Sequence, residues 1–343
     1  MLKVFFAFSY IHVFVIIYLE QMVRKQNLCL VIFCLIIQAC SINKVAIKAV
    51  SNALTKEGSS DIFTADPDPL LVGDALPFTI KMYESLLEAN PKHQGLLETT
   101  GSLFVMYANA FVQRPAEQLP RWMHDERLAE MKRAKMLYLR GLELLCRGLD
   151  LKYPGFNSAF QNGFLQGKLP EILKKMKKND VPSLYWAAAA GFSAFSINPL
   201  DSSLGVRVPE FLALINRAYE LDPDYNSGAL DDFLLLVYAS LPELMGGDKS
   251  KADIHFQKAL EKSKGLLAGP YVSYAQAVSI PAQDYDTFKT YLEAALSVDV
   301  DANPSNRLVN IISRQKAQFL LDSANQFFVI FETDDDWDCF YDE

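Results

Sequence analysis

Cysteine, histidine and positive charge are all scarce in this chain. Five cysteines and four histidines are spread through 343 residues. Cysteine this sparse builds no disulfide framework. His93, His124 and His255 stand at no metal-like spacing, and neither a nucleophile elbow nor a His-Glu-x-x-His pair occurs. The residues therefore point to no enzyme, no cofactor and no metal site. Lys and Arg number 33 against 41 Asp and Glu, for a net charge of −8, which excludes the basic face that phosphate backbones require. Linkers rich in Pro, Gly or Ser are missing, so the roughly 300 residues after Cys40 read as one continuous body. Strand-like alternation is almost absent, and the expected fold is all-α.

Long apolar runs are missing too. The run from Leu28 to Ile37 is about half of the roughly 20 residues that a membrane-crossing helix needs. Arg24 and Lys25 precede it, and Ala39-Cys40 follows, the order of a secretory signal peptide. Ile37-Gln38-Ala39-Cys40 resembles a bacterial lipobox, which implies cleavage before Cys40 and acylation of its thiol and new amino group. Gln38 departs from the small residue usual there, and an uncleaved signal anchor with a bare Cys40 is the alternative. Residues 1–39 are thus assigned as signal peptide. Residues 1–21 form a second apolar run upstream of Met22, read as lying before the true start or, alternatively, as an N-terminal membrane helix. Cys29 and Cys34 leave with the signal peptide. Cys146 lies in an apolar helical pattern, where a buried free thiol is the common state, and its pairing with Cys339 stays open.

From residue 40 to 330 helical periodicity dominates. Leu76, Ile80, Tyr83 and Leu87 define one helix face, closed by Pro91. Three segments share steps of four, three and five: Thr79, Tyr83, Leu86, Pro91; Leu142, Cys146, Leu149, Pro154; and Phe211, Ile215, Ala218, Pro223. Two copies lack the proline: Ala252, Phe256, Ala259 and Phe288, Leu292, Ala295. This is the spacing of the second helix of a tetratricopeptide repeat. Helices with small residues at Gly101 and Ala187 to Ala190 lie between the copies. Equivalent positions stand 63, 69, 41 and 36 residues apart, against a regular period near 34, so the repeats are cryptic. Such pairs bury their apolar faces only by stacking. The expected architecture is an α-solenoid-like stack of helical pairs, covered at its end by the helix in "SNRLVNIISRQKAQFLLDSANQFFVIF". Residues 331–343 form an acidic tail, in which Trp337 and Phe340 could dock on a partner.

Several stretches imitate sites. "DPDYNSGALDD" alternates oxygen ligands as a calcium loop does, but its Gly is displaced to Gly228 and position twelve is Phe233; a turn between helices fits better. "GGDKS" lacks the spacing and preceding strand of a phosphate loop and reads as a helix stop, with Asp248 capping the next helix. Lys174, Lys175, Lys177 and Lys178 suit a solvated helix end. Aromatics are the more informative group. Phe104, Tyr107, Tyr153, Phe156, Tyr185 and Trp186, with Asn109 among them, fit core packing or else an apolar passage with polar tips for a hydrophobic or amphipathic ligand.

The stretches "DPDPLLVGDALPFTIKMYESLLEANPKHQGLL", "TGSLFVMYANAFVQRPAE", "LKYPGF", "LYWAAAAGFSAF" and "LPELMGGDKSKADIHFQKAL" together resemble the TatT family. This is the tetratricopeptide-repeat lipoprotein component of tripartite ATP-independent periplasmic (TRAP) transporters. The resemblance covers nearly all of residues 45 to 330. It implies a periplasm-facing, lipid-anchored homotrimer that binds the transporter's solute-binding protein and carries a pore through each protomer; the aromatic residues and Asn109 above are the candidates to line it. An envelope scaffold lipoprotein with a peptide-binding repeat groove is the alternative.

The lipobox reading predicts that Cys40→Ser abolishes incorporation of labelled palmitate and moves the protein from the detergent to the aqueous phase on detergent partitioning. Unchanged labelling of the variant contradicts it.

Overall fold

The computed structural model describes residues 46–56, 58, 61–162 and 167–328, with Met22 and Arg24. Cys40, the rest of the segment read as a signal peptide apart from Met22 and Arg24, and the acidic tail lie outside the described residues. Two units are distinguished, Met1–Leu54 and Thr55–Glu343. In the first, residues 46–54 are helical, and the Ser51 hydroxyl donates to the Ile47 carbonyl at 2.7 Å.

The second unit is all-α among the described residues. Ten helices organise it: α1 (Pro69–Ala89), α2 (Gln94–Tyr107), α3 (His124–Lys152), α4 (Val181–Ile197), α5 (Val208–Leu221), α6 (Ala229–Ser240), α7 (Lys249–Ser263), α8 (Gly269–Tyr274), α9 (Tyr285–Ser297) and α10 (Arg307–Asp322). The three-residue motif that recurs in the sequence falls on every odd helix from α1 to α9. Leu142, Cys146 and Leu149 are buried on α3, as are Phe211, Ile215 and Ala218 on α5, Ala252, Phe256 and Ala259 on α7, and Phe288, Leu292 and Ala295 on α9. On α1 the buried face is Leu76, Ile80, Tyr83 and Leu87. Each even helix from α2 to α8 packs against its odd neighbours, an alternation compatible with stacked helical pairs.

Local chemistry sets the boundaries. The Asp68 carboxylate accepts from the Leu70 and Leu71 amides at the start of α1, with Pro69 in the first turn. Asp248 caps α7 by accepting from the Lys251 amide at 3.1 Å, as the sequence predicts. "DPDYNSGALDD" is a turn, in which Asn226, Ser227 and Gly228 all have positive φ.

Two helices continue beyond a break that the sequence reading did not anticipate. α2 widens into a π-turn at Ala108–Gln113 before Arg114–Glu117, and α8 does so at Ala275–Ser279 before Ile280–Ala282. A proline follows in each case, Pro115 and Pro281. Proline cannot donate an i→i−4 bond, and the ladder shifts to i→i−5, with the Arg114 amide on the Asn109 carbonyl and the Ile280 amide on that of Ala275.

Small residues let the backbones meet. A Cβ at Gly141 on α3 would lie 2.8 Å from the Gly101 carbonyl of α2, and one at Gly191 on α4 would strike the Phe211 ring of α5. Ala187 to Ala190 are all buried in the same layer. At the far end α10 packs on α9 and α8, as a covering helix should. It also returns to the start of the unit: Arg307 donates to the Ala65 carbonyl at 2.9 Å, and Arg114 donates to the Ile312 carbonyl at 2.5 Å.

The α2–α3 crossing predicts that Gly141→Ala lowers stability by about 1–3 kcal/mol, since backbone must move to admit a methyl group. At Gly148 a Cβ meets only Leu97, at 3.4 Å, and Gly148→Ala should be neutral or slightly stabilising because alanine is the better helix former. Urea unfolding of the two variants checks the contrast; equal effects contradict it.

Candidate functional site

The sequence-predicted lining residues fall into three groups. On α2, Phe104 is buried beneath the Arg140 guanidinium, 4.5 Å from its ring centre. Tyr107 stacks on Phe111 with ring centres 6.0 Å apart, and Asn109 is exposed within the π-turn. After α3, the Tyr153 hydroxyl donates to Asp180 at 2.7 Å beside the Lys152–Asp180 ion pair at 2.5 Å, and Phe156 is fully buried against Phe160. On α4, Tyr185 and Trp186 are half-buried and meet edge to face at 5.0 Å. Tyr185 also meets Tyr225 at 5.7 Å and Phe233 at 5.8 Å, and Phe192 meets Phe233 at 5.9 Å. This last group is an aromatic wall shared by α4, the turn before α6, and α6 itself.

Beside that wall runs a row of enclosed polar groups. Burial raises the Tyr185 hydroxyl pKa, and Asp232 and Tyr225 lie within its electrostatic reach. Burial also lifts the Asp232 carboxyl to about 6, despite a hydrogen bond from Ser273 and the charge of Lys316. Its Oδ1 is buried without a hydrogen-bond partner among the described residues. Lys316 on α10 is half-buried. Burial lowers its pKa, Glu117 and Asp232 oppose that fall, and Arg114 adds to it. Burial brings the Arg114 guanidinium down to about 10. Glu117 accepts from the Gln113 amide at 2.7 Å, and Gln113 in turn accepts from the buried Tyr138 hydroxyl at 2.6 Å.

Asp232, Arg114, Glu117 and Lys316 were not singled out by sequence reasoning. Their signal is a charge interrupting an apolar helix face: Lys316 stands four residues after Ile312 and four before Leu320, both buried, and Asp232 opens the run Phe233 to Val237. Long-range packing, which periodicity does not encode, brings them together. The π-turn adds to it by re-aiming Arg114 and Glu117 at the end of α2.

Other features are structural. His255 is stacked on Tyr238 at 5.5 Å and bonds Asp231 through Nδ1 at 2.7 Å, while Lys262 pairs with the second Asp231 oxygen at 2.7 Å. This buried triad pins α6 to α7. Cys146 is a free, buried thiol whose pKa burial pushes up to about 12, which leaves it unreactive; Cys339 lies outside the described residues. No group of three or more His, Cys, Asp or Glu among the described residues could hold a metal ion. None of the described helices is long and apolar enough to cross a membrane.

Two comparisons bear on what this arrangement serves. Residues 65–328 match the family model for the TRAP transporter T-component. An uncharacterized protein of Treponema pallidum (strain Nichols) is 34% identical over 308 residues, covering 86% of this chain and 95% of the relative.

Asp231 and Asp232, neighbours in sequence, titrate in opposite senses. Although burial works to raise it, the Asp231 pKa is held below the ordinary range by His255 and Lys262. Its contribution is present above the unfolded value of about 4 and is lost as pH falls through the lower folded value. Asp232 is raised to about 6, so the folded chain holds the extra proton between about 6 and 4, and stability rises as pH falls through that window. Asp232→Asn should remove the rise between pH 7 and 5. Asp231→Asn should lose about 3 kcal/mol at neutral pH by stranding its buried partners and flatten the loss below pH 4. Melting temperatures of wild type and both variants across pH 3 to 8 check this; identical profiles contradict it.

Proposed function

Because this chain belongs to the TRAP transporter T-component family, we propose that it serves the transporter from the periplasmic side as a Cys40-anchored lipoprotein that binds the solute-binding protein. The family is a transporter-accessory family and not an enzyme family. The match over residues 65–328 carries the proposal, since it spans the whole alternating helix series. A homotrimer held at a membrane by three anchors would gather several copies of the solute-binding protein, and tethering of this kind raises effective concentration into the millimolar range, on the order of that reached by short flexible linkers.

The interior supplies the second half of the proposal. An aromatic wall at Tyr185, Trp186, Tyr225 and Phe233, with Asp232 within electrostatic reach of Tyr185, suits passage of an amphipathic solute between the binding protein and the membrane. Of the sequence-predicted lining residues, Tyr185 and Trp186 carry this reading, because they are the ones that belong to the wall and both keep accessible surface.

The partner is tested by affinity capture of the full-length protein from a gentle detergent extract of its own cells. An extracytoplasmic solute-binding protein in stoichiometric yield is the expected result. Its absence under conditions that preserve other envelope complexes overturns the reading.

A further inference from the structure

α10 carries the least expected residue of the interior. Lys316 is half-buried between the buried Ile312 and Leu320, and among the described residues its ammonium makes no hydrogen bond and no ion pair. Two other elements bring charge within electrostatic reach of Lys316. Arg114, at the end of α2, reaches the Ile312 carbonyl one turn before Lys316 and spends one N–H there. Glu117 follows Arg114 by three residues. Asp232 projects from α6 toward the start of α8, where the missing side chain of Gly269 makes room: a Cβ there would lie 3.2 Å from the Asp232 carboxylate and 4.0 Å from the Ser313 hydroxyl of α10. Asp232 is thereby brought alongside the turn of α10 that leads to Lys316.

Opposite charges held this near and sheltered from solvent would ordinarily collapse into a salt bridge, since each bears a desolvation cost alone. Here Asp232 and Lys316 do not pair, and one Asp232 oxygen is wholly unsatisfied. A group placed between them must accept from Lys316 and donate to Asp232. Charge balance narrows it further. Two cations and two carboxylates sum to zero, so a bare anion or cation would leave a net charge in a poorly solvated interior, and a zwitterion would not.

We propose that the cluster of Lys316, Asp232, Arg114 and Glu117 is a binding site for a small zwitterion of the α-amino acid class, its carboxylate on Lys316 and Arg114 and its ammonium toward Asp232 and Glu117. The aromatic wall of Tyr185, Tyr225 and Phe233, which adjoins Asp232 through Phe233 and Tyr185, receives an apolar side chain. The inference names the solute class of the transport reading and rests on it for its biological setting, but the site itself stands on the geometry. The depressed pKa of Lys316 and the raised pKa of Asp232 are what two charges lacking their partner would show.

Isothermal calorimetry on the full-length protein in detergent, with L-phenylalanine, 3-phenylpropanoate and 2-phenylethylamine as probes, separates the classes because the last two each lack one of the two charges. L-phenylalanine should bind, and each of the other two at least ~10-fold more weakly, the loss expected for one hydrogen-bonded charge. Lys316→Met and Asp232→Asn should each weaken L-phenylalanine by a similar ~10-fold or more with the helical circular dichroism unchanged. A third variant, Gln318→Ala on the exposed face of α10, controls for disturbance of that helix and should bind normally. Equal or tighter binding of 3-phenylpropanoate overturns the zwitterion assignment, as does binding of L-phenylalanine that neither charge variant affects, or no binding at all. Capture of the solute-binding protein is scored separately, so failure here leaves the partner intact, and failure there leaves this site intact.

Discussion

An α-helix with one apolar ridge cannot hide that ridge by itself, and every other feature of this protein follows from how ten such helices hide theirs. Each buried Phe or Leu on the odd helices contributes about 1.5–3 kcal/mol, but only while an even helix lies close enough to cover it. Closeness is a matter of what is absent from the side chains. At Gly101, Gly141 and Gly191, and along Ala187 to Ala190, the even and odd helices approach until backbone or ring meets backbone. The ridges then interlock.

Helices packed this way have ends, and α10 closes one end while reaching the beginning of the series through Arg307 and Arg114. That return has an electrostatic consequence. It draws Lys316 toward Arg114, Glu117 and Asp232, whose helices are far apart in sequence, and leaves Lys316 and one Asp232 oxygen without a hydrogen-bond partner among the described residues. Replacing such a group by a hydrophobic residue of similar volume is commonly neutral or stabilising, so stability does not explain its presence. Contrast the Asp231–His255–Lys262 triad one residue away: there every charge has its partner at 2.7 Å, and the group acts as a clamp.

Much of the fold was legible in the sequence because the signal is local. A step of four and three residues is visible without knowing what the helix touches, and it marked buried residues on α3, α5, α7 and α9; on α1 only Tyr83 of that motif is buried, and the face is the separate series Leu76, Ile80, Tyr83 and Leu87. Asp248 as a cap and the turn at Asn226 to Gly228 were legible for the same reason. The π-turns at Ala108 and Ala275 were not, although Tyr-Ala followed by proline within eight residues occurs at both sites and again at Tyr238 to Pro242. A pattern of apolar spacing carries no information about a shift of the hydrogen-bond ladder. The charged cluster was illegible for a deeper reason. Its members stand at residues 114, 117, 232 and 316, and only the return of α10 makes them neighbours. Aromatic residues drew attention in the sequence because they are large, but Phe156 is fully buried and Tyr153 is engaged with Asp180.

The membership of this chain among TRAP transporter T-components and its interior chemistry are joined by the site proposed at Lys316 and Asp232. A crystal structure of the full-length protein grown with L-phenylalanine tests this most directly. The account predicts density for one molecule, its carboxylate against Lys316 and its ring against Tyr185 and Phe233. A direct Lys316–Asp232 salt bridge with no density beside it contradicts the account.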